Sequence, residues 1–150
     1  MLKEGIKAPD FELPDSEGKT HTLKEFRGST VILYFYPKDD TVGCTREACD
    51  FRDLDSQFSK KNAVVIGISA DSQRSHANFT VKHGLNFLLL CDTEKETMRD
   101  YHVLREKNLY GRKFLGIERT TFIIDRAGTI KKIFPEVNVG GHADAVLDSL

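Results

Sequence analysis

The segment PKDDTVGCTREAC, from Pro37 to Cys49, has residue types and a spacing that suit thiol chemistry. It follows a continuous apolar run at Val31–Tyr36, which is typical of a strand buried on both faces of a sheet. From Cys44 to about Ser59, apolar residues recur every three or four positions, a pattern that predicts an amphipathic helix. Cys44 is therefore expected at the start of a helix, after the loop that ends a buried strand.

The predicted position of Cys44 favours the thiolate form of its side chain. The N-terminus of a helix carries about half a positive charge and unpaired backbone N–H groups, and both stabilise an anion. Thr41 lies close enough in sequence for its hydroxyl to donate to the sulfur or to an incoming oxygen, and Pro37 can shield the loop from water. The alternative is that Cys44 is a small buried core residue, a common role for cysteine.

A second cysteine, Cys49, follows Cys44 at a spacing that a regular helix does not bridge. Five residues of helix separate the two Cα atoms by roughly 8–9 Å. A disulfide requires less than about 7 Å. Either the two cysteines never pair, or their pairing unwinds the local turn, and the second possibility would be a redox switch.

The rest of the chain predicts a mixed sheet covered by helices. The other predicted elements are an N-terminal β-hairpin with strands at Phe11–Leu13 and Thr20–Leu23, strands at Ala63–Ser69 and Phe87–Cys91, a helix capped by Asp71 or Ser72 and ended by Gly84, a helix at Thr93–Tyr101, a hairpin of Arg119–Asp125 with Thr129–Phe134, a last helix at Gly141–Leu150, and a loop at Arg105–Gly116. The strand–helix–strand order implies a right-handed parallel crossover, whereas the late hairpin is antiparallel. The expected class is therefore α/β.

Composition limits the functions that the chain can have. At 150 residues and 39% hydrophobic content, residues 1–150 are expected to form a single domain. Twenty-two Lys+Arg against 23 Asp+Glu give a net charge of −1, which disfavours nucleic-acid and anionic-membrane partners. The first residues place charges and proline where a secretory signal needs an apolar run, so a cytoplasmic protein is expected. Three cysteines do not suggest a disulfide-rich secreted domain.

The sequence shows no sign of a metal or cofactor site. The five histidines have no ligand-like pairing, and His76 and His83 are expected on a surface helix. Asp39 and Asp40 are interpreted as turn residues. No glycine-rich phosphate loop follows a strand. We therefore expect no bound metal and no cofactor.

Two stretches of the chain resemble a known family. The run YFYPKDDTVGCTREACDFRD resembles the active-site segment of the bacterioferritin comigratory protein, or Q-type, peroxiredoxins, and ERTTFIID resembles their arginine-bearing strand. The similarity extends from APDFELPDSEG near the start to the hairpin after Asp125. It implies a thioredoxin-like fold, reduction of hydrogen peroxide and organic hydroperoxides, and thioredoxin as the usual reductant. Relatives of this type are often monomers, so a monomer is expected.

The resemblance also assigns roles to individual residues. It implies that Cys44 is the peroxidatic cysteine and Cys49 the resolving cysteine, that Thr41 and Arg119 polarise the peroxide and hold the thiolate, and that Pro37 is the shield. The thiolate would attack the terminal peroxide oxygen and become a sulfenic acid, which then condenses with the second thiol to a disulfide. A dithiol reductant would reopen that disulfide by exchange.

Some residues leave alternatives open. On its own, Arg119 could be a strand residue in a surface ion pair, and Glu47 could either join Arg119 or cap the helix start. Val42 stands where most relatives carry a second proline, with little expected effect, and Cys91 is expected to be a buried bystander. Two rival functions are a disulfide oxidoreductase, which typically has two residues between its cysteines, and a binding module of thioredoxin-like fold.

Overall fold

The structure is a computed structural model that describes residues 2–150. Nine strands and four helices occur in that part of the chain, with a short 3₁₀ helix at Leu23–Phe26. In chain order they are β1 Glu12–Pro14, β2 Thr20–Thr22, β3 Thr30–Phe35, α1 Val42–Lys60, β4 Ala63–Ser69, α2 Gln73–His83, β5 Leu88–Cys91, α3 Glu96–Asp100, β6 Leu104–Leu109, β7 Arg112–Ile117, β8 Thr120–Ile124, β9 Ile130–Phe134 and α4 His142–Asp148.

Five strands form the central sheet in the order β5-β4-β3-β8-β9. Strands β3, β4 and β5 run parallel, whereas β8 pairs antiparallel with both β3 and β9. The predicted α/β architecture, with a parallel half and an antiparallel half, is confirmed. Strand β3 lies in the centre, and this position explains why its sequence is apolar without interruption.

The sheet separates two hydrophobic cores. Alternate residues of β3 point to opposite faces, so Leu33 and Phe35 enter one core while Ile32 and Tyr34 enter the other. The second core includes the buried face of α1, which contributes Cys44, Ala48, Phe51 and Phe58. The cysteine is therefore packed against the sheet from the first turn of the helix onward.

The hairpins at the edges of the fold differ in how well the sequence predicted them. The N-terminal hairpin, β1 with β2, is confirmed with short strands. The loop predicted at Arg105–Gly116 is wrong, because β6 and β7 pair there as an antiparallel hairpin. Tyr110 and Gly111 connect these strands with positive φ values of 52° and 78°, the backbone that a tight two-residue hairpin turn requires. Most side chains of this hairpin are exposed on both faces, so the sequence shows no clear alternation.

Capping residues set the ends of the next helices. Ser72 caps α2, with its hydroxyl accepting a hydrogen bond from the Ser75 N–H, and Gly84 ends the helix in the left-handed conformation. Helix α3 is shorter than the predicted Thr93–Tyr101, because the positive φ of Lys95 interrupts the helical backbone just before Glu96. Within residues 2–150, no helix is both long and apolar enough to span a bilayer.

Candidate active site

Cys44 lies in the first turn of α1. Thr41 is the N-cap and Val42 the first helical residue, so Cys44 is close to the N–H groups that have no partner within the helix. Its side chain is 1% exposed. A Cβ atom on Gly43 would lie 3.4 Å from Nη2 of Arg119, which is van der Waals contact, so the guanidinium lies directly beside this turn of the helix.

Arg119 links the sulfur to a buried carboxylate. It immediately precedes β8, where Thr120 pairs with Phe35 at the end of β3, and this pairing brings the arginine to the end of the central strand. Its Nη2 donates to Cys44 Sγ at 3.3 Å, and its Nη1 donates to Glu47 Oε1 at 2.7 Å. Glu47 therefore binds Arg119 rather than capping the helix, and Arg119 is not a surface ion-pair residue.

The charges at this site compete for one cation. Glu47 is 1% exposed, and its Oε2 has no hydrogen-bond partner among the described residues. Burial raises the pKa of Glu47 to about 7, against the opposing effect of the nearby Arg119 charge. Burial by itself would lower the pKa of Arg119, but Glu47 and Cys44 together raise it. A cation is therefore always present beside the sulfur. Near neutral pH the Glu47 carboxyl is only partly ionised, so it neutralises the charge of Arg119 only in part.

Cys49 lies further along the same helix and is partly buried. Cys44 and Cys49 are both free thiols in a continuous helix. The third thiol, Cys91, is 3% exposed at the end of β5 and lies beside His76 rather than in the site.

Thr41 and Pro37 lie in the loop before the helix, and the Thr41 hydroxyl does not donate to the sulfur in this conformation. The Thr41 hydroxyl donates to the carbonyl oxygen of Lys38 at 2.9 Å, and the residue is exposed. Pro37 is exposed as well, just after the end of β3. In this conformation the sulfur receives its side-chain hydrogen bond from Arg119, and the threonine stabilises the loop before the helix.

The structure corrects one prediction about polar residues near the site. Asp39 lies in a turn, as predicted, and is buried there, whereas His76, predicted on a surface helix, is fully buried. His76 lies three residues before the buried Phe79, and that spacing on α2 is the signal that the sequence offered. The facing atoms of Asp39, Asp71 and His76 lie within 4.8 Å of one another, and their residue types suit a metal. Hydrogen bonds from protein donors already occupy the two carboxylates, so the group is a hydrogen-bond network in this structure.

The fold and the site together define a class of protein. A mixed sheet holds a buried thiol at a helix N-terminus, and an arginine donates to its sulfur. A cation and a helix N-terminus beside a cysteine are the features of thiol-dependent redox enzymes.

Comparison with known proteins identifies the family. The AhpC/TSA family model matches residues 5–133. A putative peroxiredoxin bcp from Coxiella burnetii is 50% identical over 149 residues, which cover 99% of each chain. The peroxiredoxin Bcp of Bacillus subtilis is 46% identical, over 99% of this chain and 95% of that protein. The chain therefore belongs to the AhpC/TSA family, and it is a thiol-dependent peroxidase of the peroxiredoxin class.

A solved structure gives the same result for the fold. The bacterioferritin comigratory protein of Xanthomonas campestris, studied for its alkyl peroxide reduction activity, superposes with a TM-score of 0.93. The two proteins are 40% identical, and the match covers 98% of this chain and 96% of the other. The thioredoxin-like fold and the resemblance to Q-type peroxiredoxins are both confirmed.

Proposed function

We propose that Cys44 is the thiol that attacks the hydroperoxide and that Cys49 is the thiol that resolves it. The observation that carries this proposal is the 3.3 Å contact from Arg119 Nη2 to Cys44 Sγ at the N-terminus of α1. Within residues 2–150, no other cysteine combines an arginine donor with a helix N-terminus, since Cys91 lies at the end of β5 and Cys49 lies beyond the first turn of α1.

In the first step, the Cys44 thiolate attacks the terminal peroxide oxygen. The sulfur and that oxygen form a bond, while the electron pair of the O–O bond moves to the leaving oxygen, which takes up a proton and departs as water or an alcohol. Arg119 is placed to stabilise the negative charge that develops during this transfer. Thr41, at the N-cap, can turn its hydroxyl from the Lys38 carbonyl to the incoming oxygen. Pro37, exposed at the start of the loop, is placed to shield the entrance of the loop from water.

In the second step, the Cys49 thiol condenses with the sulfenic acid. A disulfide forms and water leaves, so the two electrons taken by the peroxide come from the two thiols. A dithiol of the thioredoxin type then reduces the disulfide by exchange and becomes oxidised itself. The protein groups that the first two steps use all belong to one chain, which supports a monomeric enzyme acting in a single domain of residues 1–150. The charges and proline among the first residues, where a secretory signal needs an apolar run, support a cytoplasmic location.

The substrates that we propose are hydrogen peroxide and organic hydroperoxides. The similarity to the Xanthomonas campestris protein, which was studied for alkyl peroxide reduction, supports the second class. Because the attacked oxygen is the terminal one, the alkyl group departs with the leaving oxygen and need not enter the site.

Three cysteine variants test the assignment. Cys44→Ser should abolish peroxide consumption, Cys49→Ser should still form the sulfenic acid once but not turn over with thioredoxin, and Cys91→Ser is the matched control that should behave as wild type. Stopped-flow peroxide consumption and mass spectrometry of the sulfenic acid measure these steps. Thioredoxin-dependent turnover by Cys44→Ser would refute the role of Cys44, and wild-type turnover by Cys49→Ser would refute that of Cys49.

A further inference from the structure

The loop that leads into α1, residues 37–41, is held by a buried aspartate. Asp39 is 7% exposed, and its Oδ1 accepts a hydrogen bond from the Tyr36 hydroxyl at 2.5 Å. Its Oδ2 accepts from Ser75 Oγ at 2.8 Å and faces His76 Nδ1 at 2.7 Å. Three side chains from the end of β3 and from α2 therefore converge on one carboxylate, which is suited to accept several hydrogen bonds when it is ionised.

The imidazole of His76 is placed to carry a positive charge. Its ring is fully buried, with Nε2 at 2.9 Å from the carbonyl oxygen of Leu90 and Nδ1 facing Asp39. A carbonyl oxygen only accepts, and so does a carboxylate, so both ring nitrogens have to donate. Burial alone would lower the pKa of His76, but its partners, Asp39 foremost, raise it to about 10. Asp39 and His76 thus form a buried ion pair.

We propose that the Asp39–His76 ion pair is a positioning element for the peroxidase reaction, holding the loop and the first turn of α1 where Arg119 reaches the Cys44 sulfur. This inference rests on the proposed role of Cys44. Asp39 lies two residues before the N-cap Thr41, and its backbone N–H donates to Asp71 Oδ2 at 2.8 Å. Backbone and side chain of the loop are thus both attached to neighbouring elements, independently of the helix that carries the thiol.

The next residue of the loop supplies a matched control. Asp40 also bonds α2, accepting from Lys82 Nζ at 2.7 Å and facing His83 Nε2 at 3.1 Å. That contact lies at the surface, with the Asp40 side chain 46% exposed. Water can replace the partners of an exposed pair, so its loss should matter little. The two histidines sit on the same helix and differ chiefly in burial.

The test compares His76→Gln with His83→Gln. We expect His76→Gln to slow sulfenic acid formation at Cys44 about tenfold or more, because small misplacements of reacting groups reduce rates by up to about a hundredfold. His83→Gln should stay within about twofold of wild type. Alkylation of Cys44 by iodoacetamide, measured at a pH high enough to ionise the thiol fully, needs no arginine at a peroxide oxygen, so in His76→Gln it should fall much less than the peroxide rate. Stopped-flow kinetics and quenched mass spectrometry supply both rates.

The double variant Asp39→Asn/His76→Gln distinguishes an ion pair from two separate effects. Because the pair acts as a unit, the double variant should be no slower than the slower single variant. Tyr36→Phe removes one donor to Asp39 with little change in shape, so it provides the test if His76→Gln does not fold, and a loss of peroxide rate is again expected.

Three results would overturn the proposal: peroxide rates in His76→Gln equal to those in His83→Gln, peroxide and alkylation rates that fall in parallel, or additive losses in the double variant. If His76→Gln does not fold, a wild-type peroxide rate in Tyr36→Phe would do the same. Failure of the wild-type enzyme to form a sulfenic acid at Cys44 would instead refute the proposed function, so the two failures are distinguishable.

Discussion

Oxidation of the enzyme by one equivalent of hydroperoxide should unwind the start of α1. The helix runs without interruption from Val42 to Lys60 and contains both Cys44 and Cys49. At 1.5 Å of rise and 100° of rotation per residue, five residues separate the two Cα atoms by about 8.6 Å. Disulfides span at most about 6.8 Å, so the Cα atoms have to approach by about 1.8 Å, which a regular helix does not permit.

The hydrogen-bonding pattern of the helix determines how far the effect reaches. Each N–H donates to the carbonyl four residues earlier, as Thr45 N–H does to Thr41 O at 2.8 Å. Unwinding through Cys49 therefore releases the amides of residues 45–53. Amides in stable helices open with free energies that approach the global stability, whereas frayed segments open at almost no cost. We expect exchange of these amides to accelerate about a hundredfold or more, which corresponds to roughly 3 kcal/mol.

Hydrogen exchange followed by mass spectrometry compares the two redox states. Peptides covering residues 45–53 should lose protection on oxidation, while peptides from β3 keep theirs. Cys49→Ser treated with the same peroxide is the control, because it reacts but does not form the bond. Unchanged protection over residues 45–53, in a sample shown by mass to contain the 44–49 disulfide, would refute the spacing argument.

Three further predictions concern the charged groups around the thiol. Arg119→Ala should slow sulfenic acid formation about a hundredfold or more, as measured by rapid-quench mass spectrometry. The comparison is made in a Glu47→Gln background, which avoids leaving a buried carboxylate without its partner. An equal rate would show that Arg119 has only a structural role. Folding raises the pKa of Glu47 from 4.5 to about 7, so its contribution to stability is present at low pH and is lost as pH rises through 7. In urea denaturation, the free energy of unfolding of Glu47→Gln should rise by about 3 kcal/mol relative to wild type between pH 4 and pH 9. A difference that stays constant over this range would refute the prediction. The pKa of His76 is raised from 6.5 to about 10, so the stability that its charged form supplies is fully present below pH 6.5 and is lost as pH rises through 10. Urea denaturation at pH 6 and at pH 10 should show wild type losing roughly 4 kcal/mol more than His76→Gln. Parallel losses would contradict the charged form of His76.

Burial on both faces made the central sheet predictable from the sequence. The apolar runs of β3 and β4 have no other stable position than the middle of a covered sheet. Ser72 and Gly84 marked the ends of α2 because capping chemistry is local. The β6–β7 hairpin escaped prediction for the opposite reason, since side chains exposed on both faces leave no periodic pattern.

The site was predictable where its residues are close in sequence or carry a recognisable motif. Cys44, Cys49 and Arg119 were predicted in this way, although the bond from Arg119 to Glu47 joins residues 72 positions apart and remained one of two alternatives. His76 was misplaced on a surface helix, and the burial of the turn residue Asp39 was not predicted, because charged and polar residues are mostly exposed unless they are paired. Their pairing spans 37 positions, and a single sequence carries no signal for it.

The attachments of α1 explain why its start can open while its remainder stays in place. Up to Cys49, the helix contributes only small or polar side chains to the core, and the hydrogen bonds of Arg119 to Cys44 and Glu47 help to hold its start. From Phe51 onward, fully buried aromatic rings anchor the helix in the core, and removing them from it would cost about 1.5–3 kcal/mol per side chain. The boundary between the two parts falls just after the second cysteine. Disulfide formation can therefore unwind the helix before Phe51 without disturbing the sheet that the rest of the helix covers.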